Sequence, residues 1–200
     1  MPAERIGGVL LAAGAGKRFG ADKLAAELHG ETLLQRAAAG MLDAGLDPVI
    51  AVVAPGAARP VPDRVTAVVN ERAGDGIAGS VAAGLNALHT TPGVVAAVVA
   101  PADQPWCGAA VYRRLVAAHQ RTGRAVIVAT FSGALRNPVL LAREHWRLSE
   151  GLTGDVGLSA VVRTLSPLRV ECADIGSVAD VDTPADLAEA FGATMTPRRE

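Results

Sequence analysis

The chain is poor in aromatic residues and carries almost no net charge. Aromatic side chains make up 3% of its 200 residues, too few for the stacking platforms that bind single-stranded nucleic acid. Lysine and arginine number 19 against 20 aspartate and glutamate, which gives a formal net charge of −1. No overall positive field therefore attracts nucleic acid, and any anion must be bound by local charges.

Cysteines and long apolar runs are also scarce. Cys107 and Cys172 form no C-x-x-C pair and are too few for a zinc cluster, so we expect buried thiols in a reducing compartment. No run reaches the roughly 18 to 20 apolar residues of a membrane span. The apolar start at residues 6–15 follows Glu4 and Arg5, which provide no positively charged leader region. These features predict a soluble, cytoplasmic protein without a membrane partner.

Short apolar runs alternate with helical patterns along the chain. The runs are continuously apolar, as in strands buried on both faces of a mostly parallel sheet, and they cover residues 6–12, 49–54, 65–69, 94–100 and 125–130. The helical patterns cover residues 32–44, 80–88 and 109–118. Gly45 and Gly123 follow the first and last of these patterns as helix stops. Such alternation predicts an α/β domain with a Rossmann-like, doubly wound sheet.

The second half of the chain is less regular. Strands are predicted at residues 137–141 and 168–171 and a short helix at 155–163, so we expect a mixed sheet. Thr183-Pro184 supplies an N-cap followed by proline at the first helical position, and opens a last helix that runs to about Phe191. We expect one domain over residues 1–191 and a polar C-terminal tail over 192–200.

A glycine-rich loop with three cations follows the first predicted strand. The segment 14–23 reads GAGKRFGADK, and its glycines let backbone N–H groups approach an anion beside Lys17, Arg18 and Lys23. The loop is not a Walker motif, because its Gly-Lys pair is followed by Arg18. It is not a dinucleotide fingerprint either, because Phe19 stands in place of the third glycine. The composition is typical of a phosphate-binding loop.

The segment 11–23 resembles the nucleotide loop of the molybdenum-cofactor nucleotidyltransferase family, the MobA-like and MocA-like NTP transferases. The resemblance spreads over almost the whole chain and implies a nucleotide-diphosphosugar-transferase type of fold. It implies that loop backbone atoms read the base while Arg18 and Lys23 hold the triphosphate as catalytic cations. Residues 70–85 resemble a second family motif, although Ala73 and Ile77 depart from it. The implied nucleotide-binding residues are Leu11, Ala12, Ala13, Gly14, Gly16, Arg18, Lys23, Asn70, Gly76 and Ser80.

Two aspartates are candidate metal ligands. Asp103 follows the predicted strand at 94–100, and a carboxylate at that end of a central strand faces the crevice where open α/β sheets bind ligands. The resemblance implies that Asp103, as a catalytic residue, and Asp182 hold Mg²⁺ or Mn²⁺. Two plainer interpretations stay open: Asp103 forms a turn before Pro105, and Asp182 merely precedes the cap of the last helix.

The acceptor side matches the family less well. Asn137 and Pro138 fall in a segment that resembles the family's acceptor-pocket motif, but Arg136 stands where glycine is usual. Gly154 and Asp155 match a Gly-Asp-x-Gly element, for which a surface turn is the plainer interpretation. The resemblance implies that these four matching residues bind the acceptor, and the departure leaves its identity open.

The expected function is transfer of a nucleotidyl group from an NTP to a phosphorylated small molecule, with release of pyrophosphate. The Ala12-Ala13-Gly14 sequence resembles the cytidylyl-transferring branch, which favours CTP as donor and molybdopterin as acceptor, with a molybdoenzyme as client. GTP or another phosphorylated acceptor stays open. Two alternatives belong to other classes: a non-catalytic accessory protein of the molybdenum cofactor, and an NAD(P)-dependent oxidoreductase, which Phe19 disfavours.

Overall fold

The computed structural model describes residues 4–14, 19–20, 22–57 and 59–192. A seven-stranded sheet has the order β5-β4-β1-β6-β8-β7-β9, and β2 pairs with β3 in a short hairpin. The strands are β1 (Arg5–Ala12), β2 (Glu27–Leu28), β3 (Glu31–Thr32), β4 (Val49–Val53), β5 (Val65–Val69), β6 (Val94–Pro101), β7 (Val126–Phe131), β8 (Ala134–Ala142) and β9 (Leu168–Glu171). Strand β8 runs antiparallel to both of its neighbours, while the other pairings in this sheet are parallel. The predicted mixed, mostly parallel α/β sheet is confirmed.

Helices cover both faces of this sheet. The α-helices are α1 (Leu33–Asp43), α2 (Ile77–His89), α3 (Ala109–Thr122), α4 (Ser159–Thr164) and α5 (Pro184–Gly192). Short 3₁₀ helices occupy Lys23–Ala25, Ala73–Asp75 and Arg143–Gly151. None of the described helices is long and apolar enough to cross a membrane.

The buried side chains of the strands alternate between two cores. Leu10 of β1 packs into the core that contains residues of α1 and α3. Its neighbour Val9 packs into the other core, with residues of α2 and α4. This alternation follows from the pleat of a strand, and because both faces are covered the central strands are apolar throughout.

Local sequence signals define several helix ends. Thr32 caps α1, because its hydroxyl accepts a hydrogen bond from Gln35 N while the Gln35 side chain accepts one from Thr32 N. Gly45, with a φ of 81°, follows that helix, and Gly123, with a φ of 65°, ends α3 in the left-handed conformation. The predicted helix stops Gly45 and Gly123 are therefore confirmed.

Two sequence predictions need correction. Strand β5 was expected to be buried on both faces, but Thr66, Ala67 and Val69 are exposed, because β5 is an edge strand of the sheet. The helix expected at 155–163 begins only at Ser159, since Thr153–Asp155 forms a turn in which Gly154 has a φ of 60°. Residues 193–200 of the expected tail lie outside the described part of the chain.

Candidate functional site

A cavity of about 460 Å³ opens at the carboxyl ends of β1 and β6. These strands are parallel neighbours, with Leu11 opposite Pro101, so the segments that follow them lie side by side. Ala102 N donates to the Leu11 carbonyl at 3.1 Å and extends the pairing. The cavity is lined by Leu11, Ala13, Gly14, Lys23, Ala73, Gly74, Gly76, Ile77, Ser80, Pro101, Asp103, Asp155 and Asp182. Such a crevice is where ligands bind in open α/β sheets.

Lys23 joins the two predicted metal-binding aspartates. Its ammonium donates to Asp103 Oδ2 at 2.7 Å and to Asp182 Oδ1 at 3.1 Å. The Lys23 side chain is 12% exposed, and those of Asp103 and Asp182 are 24% and 33% exposed. Burial alone would lower the pKa of Lys23, but hydrogen bonds and charge interactions with both aspartates outweigh it and raise the pKa. Lys23 is therefore a fixed positive charge at neutral pH.

The backbone places these three side chains. Asp22 caps the 3₁₀ helix that begins at Lys23, through a hydrogen bond of 3.2 Å from Leu24 N to Asp22 Oδ1. Val181 N donates to the Asp103 carbonyl at 3.0 Å and fastens the segment before α5 to the end of β6. Asp182 lies next to this anchor, and its own N–H donates to Asp186 Oδ2 at 2.9 Å. Asp182 therefore both precedes the helix cap and faces the cavity.

The donor set of this cavity is compatible with a divalent cation. Asp103 Oδ1 is buried and has no hydrogen-bond partner among the described residues, and a buried unsatisfied oxygen is costly unless a ligand satisfies it. Carboxylate oxygens suit Mg²⁺ and Mn²⁺. No cluster of three or more His, Cys, Asp or Glu residues suited to a metal occurs in the described ranges.

Gly76 lines the same cavity as Asp103 and Asp182. Its φ is 112°, and a Cβ atom built on it would lie 2.2 Å from the Gly154 carbonyl carbon. Ala78 N donates to the Gly154 carbonyl at 3.1 Å. Glycine is thus required here both for its backbone conformation and for close contact. This contact brings the segment containing Asp155, an expected acceptor residue, to the same cavity as the expected nucleotide residues.

Some of the expected nucleotide-binding residues are buried and do not line the cavity, and others lie outside the described residues. Asn70 is buried and does not line the cavity. Its Nδ2 donates to Ser80 Oγ at 3.0 Å, so it positions Ser80, which lines the cavity. Ala12 is also buried. Gly16 and Arg18 lie outside the described residues.

The remaining expected acceptor residues do not line this cavity. Asn137 is exposed and lines a second cavity of about 300 Å³, whereas Pro138 is buried in β8. Gly154 lies at the edge of a further cavity of about 230 Å³. The structure thus brings Asp155, but not Asn137, to the aspartates and Lys23.

Sequence reasoning missed Arg59 and the pairing of Gln104 with Asp180. Arg59 donates to both carboxylate oxygens of Asp22 and to the Ala12 carbonyl, so it connects the last residues of the glycine-rich loop with the end of β1. Gln104 Nε2 donates to Asp180 Oδ1 at 2.9 Å. Partial burial raises the pKa of Asp180, and the nearby charges of Asp103 and Asp182 add to this against the lowering effect of the Gln104 bond. No local signal marks these contacts, because each joins residues distant in sequence.

The doubly wound sheet, with a cation and two aspartates in the crevice at its carboxyl edge, places the protein among the α/β proteins that bind ligands at this edge. The model of the MobA-like NTP transferase domain matches residues 8–170. The chain therefore belongs to the MobA-like NTP transferase family, and the resemblance seen in its motifs is confirmed.

Relatives span nearly the whole chain. It is 34% identical over 194 residues to nicotine blue oxidoreductase of Paenarthrobacter nicotinovorans, covering 89% of this chain and 92% of that protein. It is 29% identical over 193 residues to the purine catabolism protein PucB of Bacillus subtilis (strain 168), covering 90% and 92%. The name of the first relative states a different reaction class from the family description.

Solved structures share the fold. Rv0371c of Mycobacterium tuberculosis H37Rv superposes with a TM-score of 0.77 at 25% identity, covering 96% of this chain and 100% of that one. A structure of Rv0371C in complex with manganese has a TM-score of 0.76 at 24% identity, with 95% and 100% covered.

Proposed function

We propose that this protein transfers the nucleotidyl group of an NTP to a phosphate of a small acceptor and releases pyrophosphate. CTP is the favoured donor and molybdopterin the favoured acceptor. The observation that carries the proposal is the meeting of Lys23 with Asp103 and Asp182 in the cavity next to the segment 11–14. A fixed cation beside two carboxylates can bind both a triphosphate and the divalent ion that accompanies it.

The chain's own residues act by binding and charge neutralisation. The acceptor phosphate oxygen attacks the α-phosphorus, and the bond from the α-phosphorus to the departing pyrophosphate breaks. Lys23, with Arg18 of the glycine-rich loop, would neutralise the phosphate oxygens as charge develops. No protein nucleophile or general base is needed, since a phosphate acceptor is already ionised at pH 7.

Asp103 and Asp182 would hold Mg²⁺ or Mn²⁺, with Asp103 Oδ1 as an available ligand atom. When bound, the ion would supply positive charge that offsets the negative charge of the phosphate groups. Lys23 contacts both carboxylates in the structure, so we expect its ammonium to move toward the phosphates once the ion and the nucleotide are bound. Asp155, which lines the same cavity, belongs to the acceptor side.

The choice of CTP depends on residues 11–14, which line the cavity at Leu11, Ala13 and Gly14. Their Ala-Ala-Gly sequence is the feature that favours a cytidine base over guanine. GTP and other phosphorylated acceptors are the alternatives within the family. The match to relatives along the whole chain supports the family but leaves donor and acceptor to experiment.

Product formation tests the proposal. The full-length protein is incubated with α-labelled CTP, GTP, ATP or UTP, molybdopterin and Mg²⁺, and both labelled dinucleotide and pyrophosphate are measured. We expect dinucleotide and pyrophosphate in equal amounts, fastest with CTP, and none with Asp103→Asn. Turnover with GTP but not with CTP would show that the protein transfers a guanylyl group instead. Nucleotide binding without pyrophosphate would indicate the non-catalytic accessory role.

A second candidate, an NAD(P)-dependent oxidoreductase, is retained because one relative carries an oxidoreductase name. Its test is oxidation of NADH or NADPH followed at 340 nm with a redox dye. Nucleotide selectivity separates the two candidates, because a transferase needs an NTP and an oxidoreductase does not.

We also propose that the protein acts in the cytoplasm, where its two buried thiols, Cys107 and Cys172, stay reduced.

A further inference from the structure

Arg59 is a buried cation that belongs to none of the motifs of the candidate site. It follows β4, the parallel neighbour of β1, and Ala12 at the end of β1 pairs with Val53 at the end of β4. The segments after these two strands therefore begin side by side at the carboxyl edge of the sheet. Ala57 and Val61, on either side of Arg59, pack against the core that contains residues of α1 and α3, and so fix the segment that carries Arg59.

The Arg59 guanidinium joins the end of β1 to the residue before Lys23. Its side chain is 6% exposed. One terminal nitrogen donates to both carboxylate oxygens of Asp22, and the other donates to the Ala12 carbonyl. The planar guanidinium presents its donors in a rigid arrangement, so Arg59 fixes the position of the Asp22 carboxylate relative to the end of β1.

Asp22 extends this constraint to Lys23. Its Oδ1, which accepts from Arg59, also accepts from Leu24 N at 3.2 Å and caps the 3₁₀ helix that begins at Lys23. The Lys23 ammonium in turn donates to both carboxylates of the candidate metal site. A connected set of contacts thus leads from Arg59 to the cavity, although Arg59 does not line the cavity itself.

We propose that Arg59 is a positioning residue for nucleotide binding, which acts through Asp22 and Ala12 to hold the turn that carries Lys23 in place beside the segment 11–14. This inference depends on the proposed function, in which Lys23 binds the triphosphate. A group that is held in place before its ligand arrives loses less conformational freedom on binding. The pair of Arg59 with Asp22 therefore strengthens CTP binding without touching CTP. It also keeps the Lys23 ammonium against the two carboxylates when no nucleotide is bound, and so weakens the binding of a free metal ion.

Direct contact of Arg59 with a phosphate is the competing interpretation, because its Nε–H is buried without a partner among the described residues. The two interpretations predict opposite signs for Asp22→Asn, which keeps a good helix-capping side chain but removes the charge that holds the guanidinium. If Arg59 bound a phosphate, its release from Asp22 and the loss of a negative charge would both strengthen CTP binding. If Arg59 positions Lys23, the variant weakens CTP binding in spite of that charge effect.

Isothermal titration of the full-length protein with CTP measures this sign. We expect Arg59→Met and Asp22→Asn each to weaken CTP binding by about tenfold, the lower end of what a hydrogen bond to a charged group contributes. The double variant should bind CTP as Arg59→Met does, because both changes break the same pair. Arg59→Lys should not restore wild-type affinity, since an ammonium lacks the planar set of donors. Arg121→Met, at an exposed arginine of α3, removes the same charge and should bind CTP normally.

Titration with Mn²⁺ in the absence of nucleotide is a second measurement. Asp22→Asn should strengthen Mn²⁺ binding by about threefold, the size of a partly exposed charge interaction, because the Lys23 ammonium is no longer held against the carboxylates. Loss of a negative charge alone would have the opposite effect. In the Lys23→Ala background, Asp22→Asn should give no further gain. Asp43→Asn, at an exposed position of α1, should leave Mn²⁺ affinity unchanged.

A purely structural role of Arg59 would give a different pattern. Arg114 forms a pair with Asp174 through two hydrogen bonds, and neither residue lines the cavity, so Arg114→Met should lower Tm without weakening CTP binding. A lower Tm with unchanged CTP affinity in Arg59→Met would overturn the inference. Stronger CTP binding by Asp22→Asn, or full recovery in Arg59→Lys, would also overturn it. Asp22, whose side chain is 37% exposed, carries the test if Arg59→Met does not fold.

Kinetics separates this inference from the proposed function. With CTP and molybdopterin, Arg59→Met should raise KM for CTP and leave KM for molybdopterin unchanged, and the reverse pattern would overturn the inference while the transferase stands. If the wild-type protein binds CTP but forms no pyrophosphate, the proposed function fails and the CTP titrations still decide the role of Arg59. Absence of NTP binding by the wild-type protein would overturn both.

Discussion

Lys23 donates a hydrogen bond of 2.7 Å to Asp103, a residue 80 positions further along the chain. The two meet because β1 and β6 are parallel neighbours, so the segments after their carboxyl ends share one edge of the sheet. The same ammonium reaches Asp182 at 3.1 Å. The Lys23 ammonium thus lies against both carboxylates of the candidate metal site. We expect it to strengthen the binding of nucleotide and to weaken the binding of a metal ion in the absence of nucleotide.

Replacement of Lys23 tests this relationship. Lys23→Ala should weaken CTP binding by roughly 10- to 100-fold, since a charged hydrogen bond contributes about 1.5 to 3 kcal/mol. Without nucleotide, the same change should strengthen Mn²⁺ binding, because the ammonium no longer neutralises Asp103 and Asp182. Isothermal titration measures both affinities, with Arg121→Ala as control. Equal CTP affinity in Lys23→Ala would remove Lys23 from the nucleotide site.

Replacement of Asp103 separates a metal ligand from a turn residue. Asp103→Asn keeps the size and the turn-forming ability of the side chain but removes its charge. We expect loss of Mg²⁺-dependent pyrophosphate release and weaker Mn²⁺ binding, with near wild-type circular dichroism. Asp43→Asn, at an exposed position of α1, should be fully active. Unchanged turnover in Asp103→Asn would contradict the role as metal ligand and would leave Asp103 only its role in the turn before Pro105.

Gly76 provides a test of the cavity wall. Gly76→Ala places a Cβ atom 2.2 Å from the Gly154 carbonyl carbon at a φ of 112°, so the two segments must separate. Gly30→Ala is the matched control, because Gly30 has a φ of 81° with no atom within 4 Å of the added Cβ. The control should cost about 1 to 2 kcal/mol for its backbone conformation. Gly76→Ala should cost more and also weaken nucleotide binding.

Urea unfolding and CTP titration of these two glycine variants give the comparison. Equal destabilisation of the two proteins would contradict the close contact between Gly76 and Gly154.

Glu171 should make stability depend on acid pH. Backbone N–H groups of Gly133 and Ala173 chiefly lower the pKa of this carboxylate, with further hydrogen bonds from Thr130 and Ser132. Because the folded pKa lies below the ordinary value of 4.5, the stabilisation is fully present above that pH and is lost as pH falls through the folded pKa. Glu171→Gln should therefore lower Tm at pH 7, and the deficit should shrink below pH 4.5.

Thermal unfolding from pH 3 to 8 measures this deficit. Glu150→Gln, at an exposed glutamate, should show no comparable pH-dependent change. A deficit of Glu171→Gln that stays constant across the range would show that the charge of Glu171 does not stabilise the turn between β7 and β8.

Much of the sheet could be predicted because its central strands are buried on both faces. Residues 6–12 and 94–100 are apolar without interruption, and the structure places them in β1 and β6 at its centre. Strand β5 has the same local pattern but lies at the edge, and an apolar run alone does not specify which strands are central. The cap at Thr183 was predictable because its partner, the N–H of Asp186, lies within one turn.

The candidate site was predictable where a motif marks each residue. Lys23, Asp103 and Asp182 were each identified in separate segments, and the structure places them in contact. The contacts of Arg59 with Asp22 and of Gln104 with Asp180 join residues 37 and 76 positions apart. Only the tertiary fold creates such contacts, so no local pattern predicts them.

The most direct measurement of the central claim is thermal stabilisation by CTP, GTP, ATP, UTP, NADH and NADPH, each with and without Mg²⁺. A ligand at 100 times its dissociation constant stabilises a protein by about 2.7 kcal/mol. The account predicts a selective rise in Tm with CTP that Mg²⁺ enhances and that Asp103→Asn loses. A rise with NADH or NADPH alone, independent of Mg²⁺, would contradict it.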